Sequence, residues 1–513
     1  MEERKFIKNP LIKGTLILTV GGLITRLIGF YYRVFLNDLI GARQIGIYQL
    51  VIPIYIVAIS FCCQGFQAAL TRLIPTYIVK KQKNQVWGTY YIALLFSMAL
   101  SIIATMFLYC NANFLGTHYL NNPETIPCIR VISLGIPFVA WKCCIHGYFM
   151  GMKQSSILAV SQLIEQLFRV VGTFLLAVGL QSEQLRTAIL ATYGILIGEI
   201  TSFLYSYIAF RRHKSGSARS AKYIQLTKSL LHDSIPFTAN RLSTTLLQSV
   251  EATLIPAMLT LFFQDGDYAL TVFGVMTGMA IPFILLPSTL TNSLCSMLMP
   301  AVSEQHTKDN QEQLANMTNG SLHFCLLVGV FSTVLFVFFG KELGMTFFQN
   351  SLAGEFIVML AFLCPFIYVS ATLSSILNGL GKTGLNLFLH ILSISVRILF
   401  IVLLVPKVGI RGCMWGMLAS YLLLTGCLGF SILPKIKINI DCYKSIVIPV
   451  FMAVLVGTAC FLLYEKGIDM LSAKKEITNL IRLVILTITI CGYGIIYFSI
   501  TLFHEIKRLK IRE

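Results

Sequence analysis

The stretches "IPFVAWKCCIHGYFMGMK" (residues 136–153) and "CPFIYVSATLSSILNGLGK" (residues 364–382) read as two copies of one helix. Laying the first over the second aligns Pro137 with Pro365, Phe138 with Phe366 and Gly151 with Gly379, and the same step of 228 residues carries Arg169 onto Arg397. Each stretch sits in an apolar run long enough to cross roughly 30 Å of hydrocarbon. Matches on equivalent members of two helix groups point to a duplicated architecture, which is common among membrane transporters.

Outward from these helices the composition is uniform. Of 513 residues, 56% are hydrophobic and 12% charged, and the mean hydropathy is +0.77. Fourteen apolar segments follow one another, at about 11–36, 45–71, 88–110, 126–149, 155–179, 187–210, 231–261, 268–301, 315–339, 354–378, 384–405, 411–433, 444–464 and 478–503. The expected fold is an all-α integral membrane protein with about 14 transmembrane helices. Residues 1–210 carry helices 1 to 6, 211–230 form a basic connection, 231–433 carry helices 7 to 12, and 434–513 hold two further helices and a basic tail. The opening "MEERKFIKNPLIK" is followed by no small-residue cleavage site and is read as retained.

An even number of passes puts both termini on one side. With the N-terminus inside, the inner connections carry the large majority of Lys and Arg. They include Arg72, the lysines of "KKQK", Lys153, the run between Arg211 and Lys228, Lys308, Lys382, Lys435 to Lys444 and the C-terminal tail. The positive-inside rule then places both ends in the cytoplasm of a cell membrane. It also accounts for much of the net charge of +18 without nucleic acid. The fourteen cysteines lie in apolar runs, with no C-x-x-C pair and no histidine at ligand spacing, so packing is expected rather than disulfides or metal.

Polar residues inside these helices fall on stripes. Thr15, Thr19, Gly22, Arg26, Arg33 and Asn37 share one face of the first helix, and Arg241, Thr244, Thr245, Gln248 and Glu251 one side of the seventh. Asn386, His390, Ser393 and Arg397 do the same in the eleventh, while Ser161, Gln162, Glu165 and Arg169 mark the fifth, the last two at i, i+4. Such faces are expected to line a shared polar interior. Each has a plainer reading: Arg33 snorkels to the interface, Glu165 and Arg169 form a structural ion pair, His390 is a satisfied core histidine. Arg26 is hardest to explain away, because an arginine near the bilayer centre costs roughly 2.5 to 3.5 kcal/mol on insertion scales. Glu199 and Glu251 read equally as counter-charges or as ion-coupling carboxylates.

"NGLGKTG" (378–384) is not a nucleotide loop, since Ile376 stands where the first glycine is needed and its flanks are transmembrane helices. No Ser-His-Asp, zinc or paired-carboxylate arrangement appears in the short connections, so neither an enzyme nor a cofactor is expected.

Taken together, "TRLIGFYYRVFLNDLIGARQIGIYQL", "GYFMGMKQSSILAVSQLIEQLFRV", "SIPFTANRLSTTLLQSVEATLIPAML", "VFGVMTGMAIPFILLPSTLTNSLCSMLMPAVSE" and "LNGLGKTGLNLFLHILSISVRILFIVLL" resemble the stage V sporulation protein B family. That family lies in the polysaccharide-exporter branch of the multidrug/oligosaccharidyl-lipid/polysaccharide flippase superfamily, and the resemblance spans roughly residues 10 to 435. It implies two pseudo-symmetric six-helix lobes around a central cavity, with two additional helices, as in bacterial lipid II flippases. The arginines of the first-helix R-x-x-G motif of those flippases match Arg26, with Gly29, and Arg33, although there the second arginine follows after six residues rather than seven. The resemblance implies export of an undecaprenyl-pyrophosphate-linked cell-wall precursor, with Arg26 and Arg33 lining the cavity, and the polar stripes of the seventh and eleventh helices add Arg241, Gln248 and Arg397 as candidate cavity residues. Glu165, Arg169, Glu199, Glu251 and His390 are then network or ion-coupling groups, with membrane lipids and a coupling ion as further partners. The sporulation link points to the spore cortex and the forespore membrane. A drug or cation antiporter of the same superfamily, a membrane glycosyltransferase and a non-transporting sporulation scaffold are the alternatives.

Overall fold

Lipid offers no partner for backbone polar groups, so a chain this apolar satisfies them within helices. In the computed structural model, which describes residues 10–152, 154–179, 187–213, 223–436, 443–472 and 479–512, all regular structure is helical. Among the described residues twelve helices are long and apolar enough to cross a membrane, or thirteen when Thr125–Ser133 and Ile136–Gly151, which meet at 43°, count as one span. The first stretch, Val20–Val79, has 60 residues, about 90 Å of straight helix and enough for two passes. It breaks at Gly41, whose φ of 77° and ψ of 168° suit only glycine. Divided there, it brings the passes to the expected fourteen.

By packing the chain falls into two units, one ending at Gly274 and one starting at Val275. In the first, Tyr223–Phe263, the first helix of the second expected group, packs against Gly65–Val79 and the Pro10–Ile59 helix. Its core is aromatic: Tyr90 stacks on Phe210 at 4.5 Å and Trp87 on Tyr148 at 5.4 Å. The second unit has an aliphatic core, with Leu298, Val302, Leu314, Leu373, Ile376 and Leu377 all buried. The last two helices attach to Gln311–Phe348: Ile448–Ser472 through Tyr464, whose hydroxyl donates to Glu342 at 3.1 Å, and Asn479–Arg512 through Tyr497, whose hydroxyl donates to the Leu327 carbonyl at 3.2 Å, and Tyr493, which stacks on Phe331 at 4.9 Å.

The step of 228 residues seen in the sequence recurs throughout this architecture. Helix Ile136–Gly151 corresponds at both ends to Cys364–Gly379, each with proline in its first turn, where a missing N–H costs nothing. Lys81 and Asp309 take left-handed turns with φ of 56° and 53°, and Asn121 and Gln349 do so with φ of 51° and 50°. Thr105 donates to the Ser133 carbonyl at 3.1 Å, and Thr333 donates to the Ala361 carbonyl at 3.1 Å. The core residues Leu70, Ile74, Val86, Ile145, Tyr148 and Phe149 map onto the six named above.

One contact joins equivalent positions directly. A Cβ on Gly46 would overlap the Leu270 carbonyl, and one on Gly274 would overlap the Ala42 carbonyl, with Gly46 N at 2.7 Å. Ala42 and Gly46 lie 228 residues before Leu270 and Gly274, so the approach is reciprocal, as at a local two-fold axis. Small residues are what allow helix backbones to come this close in a membrane.

Candidate functional site

Three helices of the first unit, Ile136–Gly151, Ser155–Gly179 and Ala188–His213, each bring one or two charged side chains to one place. Lys142 Nζ lies 2.8 Å from Glu165 Oε2 and also pairs with Glu199 Oε2. Arg169 closes the group through a nitrogen 2.6 Å from Glu165 Oε1, one turn along the same helix, as the i, i+4 spacing predicts. The Tyr55 hydroxyl donates to Glu199 Oε1 at 3.3 Å. Lys142 and Glu199 are each only 6% exposed. Two cations and two carboxylates balance, which is what makes burial of four charges tolerable. The Arg169 Nε is left without a hydrogen-bond partner.

A neutral polar layer lies one helical turn away. His146 Nε2 is 3.1 Å from Ser161 Oγ and 3.2 Å from Ser206 Oγ, and Ser161 Oγ is 2.7 Å from Ser202 Oγ. Packing is close because Gly198 lies against the Glu165 carbonyl and Gly194 against that of Arg169.

On the first helix Arg26 and Arg33 are both exposed and Asn37 is half-buried. Arg33 is within electrostatic reach of Arg169 and Tyr48. The side chains of Thr15 and Thr19 lie outside the described residues. Gly29, next to this face, meets the Gln166 side chain, which seats the helix on Ser155–Gly179. On the seventh helix the expected stripe divides. Arg241 and Gln248 are exposed, while Thr245 and Glu251 are buried. Arg241 Nε donates to Gln64 Oε1 at 2.8 Å, at the end of a π-helical turn, Ser60–Gln64.

The eleventh-helix stripe meets neighbouring helices. Asn386 donates to Asn378 at 3.1 Å, His390 Nε2 lies 3.0 Å from Ser374 Oγ, Ser393 donates to the Ser420 carbonyl at 2.9 Å, and Arg397 sits 5.8 Å from the Tyr421 ring centroid. Glu199 takes Lys142, rather than an arginine, as its ion-pair partner. Lys142 was missed in the sequence, although a lysine amid "VAWKCC" is the signal that marks it.

Next to the Gly41 break, Arg43 forms a clasp. Its guanidinium engages both Glu124 oxygens, at 3.0 and 2.6 Å, and donates from Nε to Asp267 Oδ1 at 2.8 Å, while Gln44 donates to Glu124 at 3.0 Å. The hydrogen bonds from Arg43 hold the Glu124 carboxyl below its usual range. The clasp borders a cavity of about 640 Å³ lined also by Leu120, Pro256 and Leu270.

Residues 11–295, more than half the chain, match the family described as polysaccharide biosynthesis protein. The chain belongs to that family. Within it, the chain is similar to "Stage V sporulation protein B" of Bacillus subtilis (strain 168), 26% identical over 433 residues and covering 82% of each sequence. It is also similar to "Lipid II flippase MurJ" of the same organism, 22% identical over 346 residues and 63% of each. A solved structure of lipid II flippase MurJ in an inward closed conformation shares the fold, with a TM-score of 0.66 at 15% identity, covering 95% of this chain and all of that one. The charged quartet and both first-helix arginines thus lie within the part of the chain that carries the family match.

Proposed function

We propose that this member of the polysaccharide biosynthesis family moves a lipid-linked cell-wall saccharide, of the undecaprenyl-pyrophosphate type, across the cell membrane by alternating access. The observation that carries the reading is the polar face of the first helix, where Arg26 and Arg33 expose two guanidinium groups from a membrane-spanning segment. A pyrophosphate loses its hydration on the way across, and guanidinium groups replace that water with planar, bidentate donors. The likeness to proteins named for sporulation and for lipid II flipping supports this substrate class and a role in the spore cortex, at the forespore membrane. Arg241, Gln248 and Arg397 are proposed as further substrate contacts. Glu165, Arg169, Glu199, Glu251 and His390, with Lys142, are proposed to couple transport to an ion, and both termini to lie in the cytoplasm.

The test is a flipping assay with labelled lipid II in proteoliposomes. Arg26→Ala should weaken substrate engagement by roughly 2 to 5 kcal/mol. Arg26→Lys should restore it only in part, because an ammonium cannot copy the fork. Normal transport by the alanine variant would sink the reading.

A further inference from the structure

The second unit carries a groove outside the residues assigned above. Helix Ile410–Ile432 starts directly after Gly409, whose φ of 67° and ψ of −148° turn the chain sharply. It packs on Thr383–Val408 through Gly412, where a Cβ would stand 2.8 Å from the Leu404 carbonyl carbon, and Gly416, where it would stand 2.7 Å from Phe400 Cβ. The residues immediately before these glycines, Arg411 and Trp415, are therefore pushed onto the rim of the seam. Arg411, Trp415, Leu418 and Leu422 line one side of an apolar cavity of about 660 Å³, faced by Phe362 and Phe366. Arg411 and Trp415 also border a second hollow of about 560 Å³ on the other side of the seam.

Three features select an occupant. Arg411 is exposed and makes no ion pair among the described residues. It stands in the first turn of a 23-residue helix, whose free N–H groups also favour an anion. Trp415 is 61% exposed, whereas Trp87 is buried, and a tryptophan with one apolar and one polar side belongs at the boundary between lipid and headgroup. The stripe from Arg411 to Leu422 runs eleven residues, about 16 Å of helix, which is half of a roughly 30 Å hydrocarbon core.

We propose that this groove holds one anionic phospholipid of the surrounding leaflet, its phosphate on Arg411 and its acyl chains along Trp415, Leu418 and Leu422. The phosphate replaces water around a guanidinium at the edge of hydrocarbon, and the chains fill a hollow too apolar to hold water. The groove uses none of the first-helix arginines, and the proposal does not depend on the function proposed above.

The experiment places the full-length protein in nanodiscs of equal phosphatidylglycerol and phosphatidylcholine, releases it gently and counts retained lipids by native mass spectrometry. The wild type should retain phosphatidylglycerol over phosphatidylcholine by about tenfold, the scale of one charge-assisted contact. Arg411→Gln should abolish that preference, Leu422→Trp should expel the lipid by filling the groove, and Lys341→Gln, which alters another exposed cation, should change neither. Equal retention of the two lipids by the wild type, or an undiminished preference in Arg411→Gln with normal elution on gel filtration, overturns the proposal. Displacement of phosphatidylglycerol by a polyprenyl diphosphate at equimolar concentration would also overturn it, by making the carrier lipid the occupant.

Discussion

Where Lys142 and Glu165 meet in the first unit, the 228-residue step places Ser370 and Ser393 in the second. On the partner helix the step shortens to 222: Gly194 lies against the Arg169 carbonyl as Gly416 lies against that of Arg397, so Glu199 corresponds to Tyr421. Arg169 is thus held by the Glu165 carboxylate, and Arg397 lies over an aromatic ring. The neutral layer differs in the same way, for Ser161, Ser202 and Ser206 become Leu389, Leu424 and Leu428, all buried. Even the imidazole changes helix: His146 faces Ser161 in one copy, while Ser374 faces His390 in the other. Hydroxyls and leucines suffice to pack these helices, so the scaffold does not need the charges. A buried ion network seldom stabilises more than the apolar packing that could replace it.

The largest effect expected from this contrast is that of Lys142→Met, which leaves Glu199 without a cation in the interior and Glu165 with Arg169 alone. Loss of one member of a buried pair costs about 3 to 5 kcal/mol, whereas Ser370→Ala should cost no more than about 1 kcal/mol. Thermal unfolding of both purified variants checks this, and equal losses would erase the distinction between the copies.

Gly46→Ala and Gly274→Ala probe what the copies share. Each adds a Cβ where backbone already stands, so each should destabilise by about 1 to 3 kcal/mol, and by similar amounts. A tolerated alanine at one position and a severe loss at the other would break the two-fold reading of that contact.

The pairing of Glu165 with Arg169 sharpens the comparison further. In a cycle of Glu165→Gln, Arg169→Met and the double variant, the double should be less damaging than the sum of the singles by about 0.5 to 3 kcal/mol. Additive losses, measured by the same unfolding assay, would mean that the pair does not act as a unit.

The smallest effect concerns the clasp, which exists in one copy alone, since Arg43 and Glu124 map onto Thr271 and Leu352. Hydrogen bonds from Arg43 lower the Glu124 pKa, so its contribution to stability is present above the ordinary carboxylate range and is lost as pH falls through the lowered value. The difference in unfolding temperature between wild type and Arg43→Gln should therefore be largest near neutrality and shrink in acid. A difference that grows on acidification would contradict that assignment.

The fourteen passes and the repeat were legible because hydrophobic length and a constant residue step both survive in a single sequence. The Glu165–Arg169 pair was legible too, since both partners lie on one helix. Lys142 and Glu199 were not read as a pair, because their meeting depends on which faces of separate helices touch, and no local spacing encodes that. The seventh-helix stripe was only half legible: periodicity placed Gln248 and Glu251 on one side, but packing buried the second and exposed the first. The Gly41 break was hidden within what read as a short connection between two segments.

The quartet also has a history during synthesis. Lys142 enters the membrane ahead of its second acid, Glu199, which follows 57 residues later. At roughly 5 to 20 residues per second, that is an interval of about 3 to 11 seconds during which the ammonium has at most Glu165 for company. A lysine left at mid-membrane is costly enough to favour delay at the translocon. The Ile136–Gly151 helix is therefore expected to linger beside the insertion machinery until Ala188–His213 emerges. The second copy, with serine at position 370, has no reason to wait.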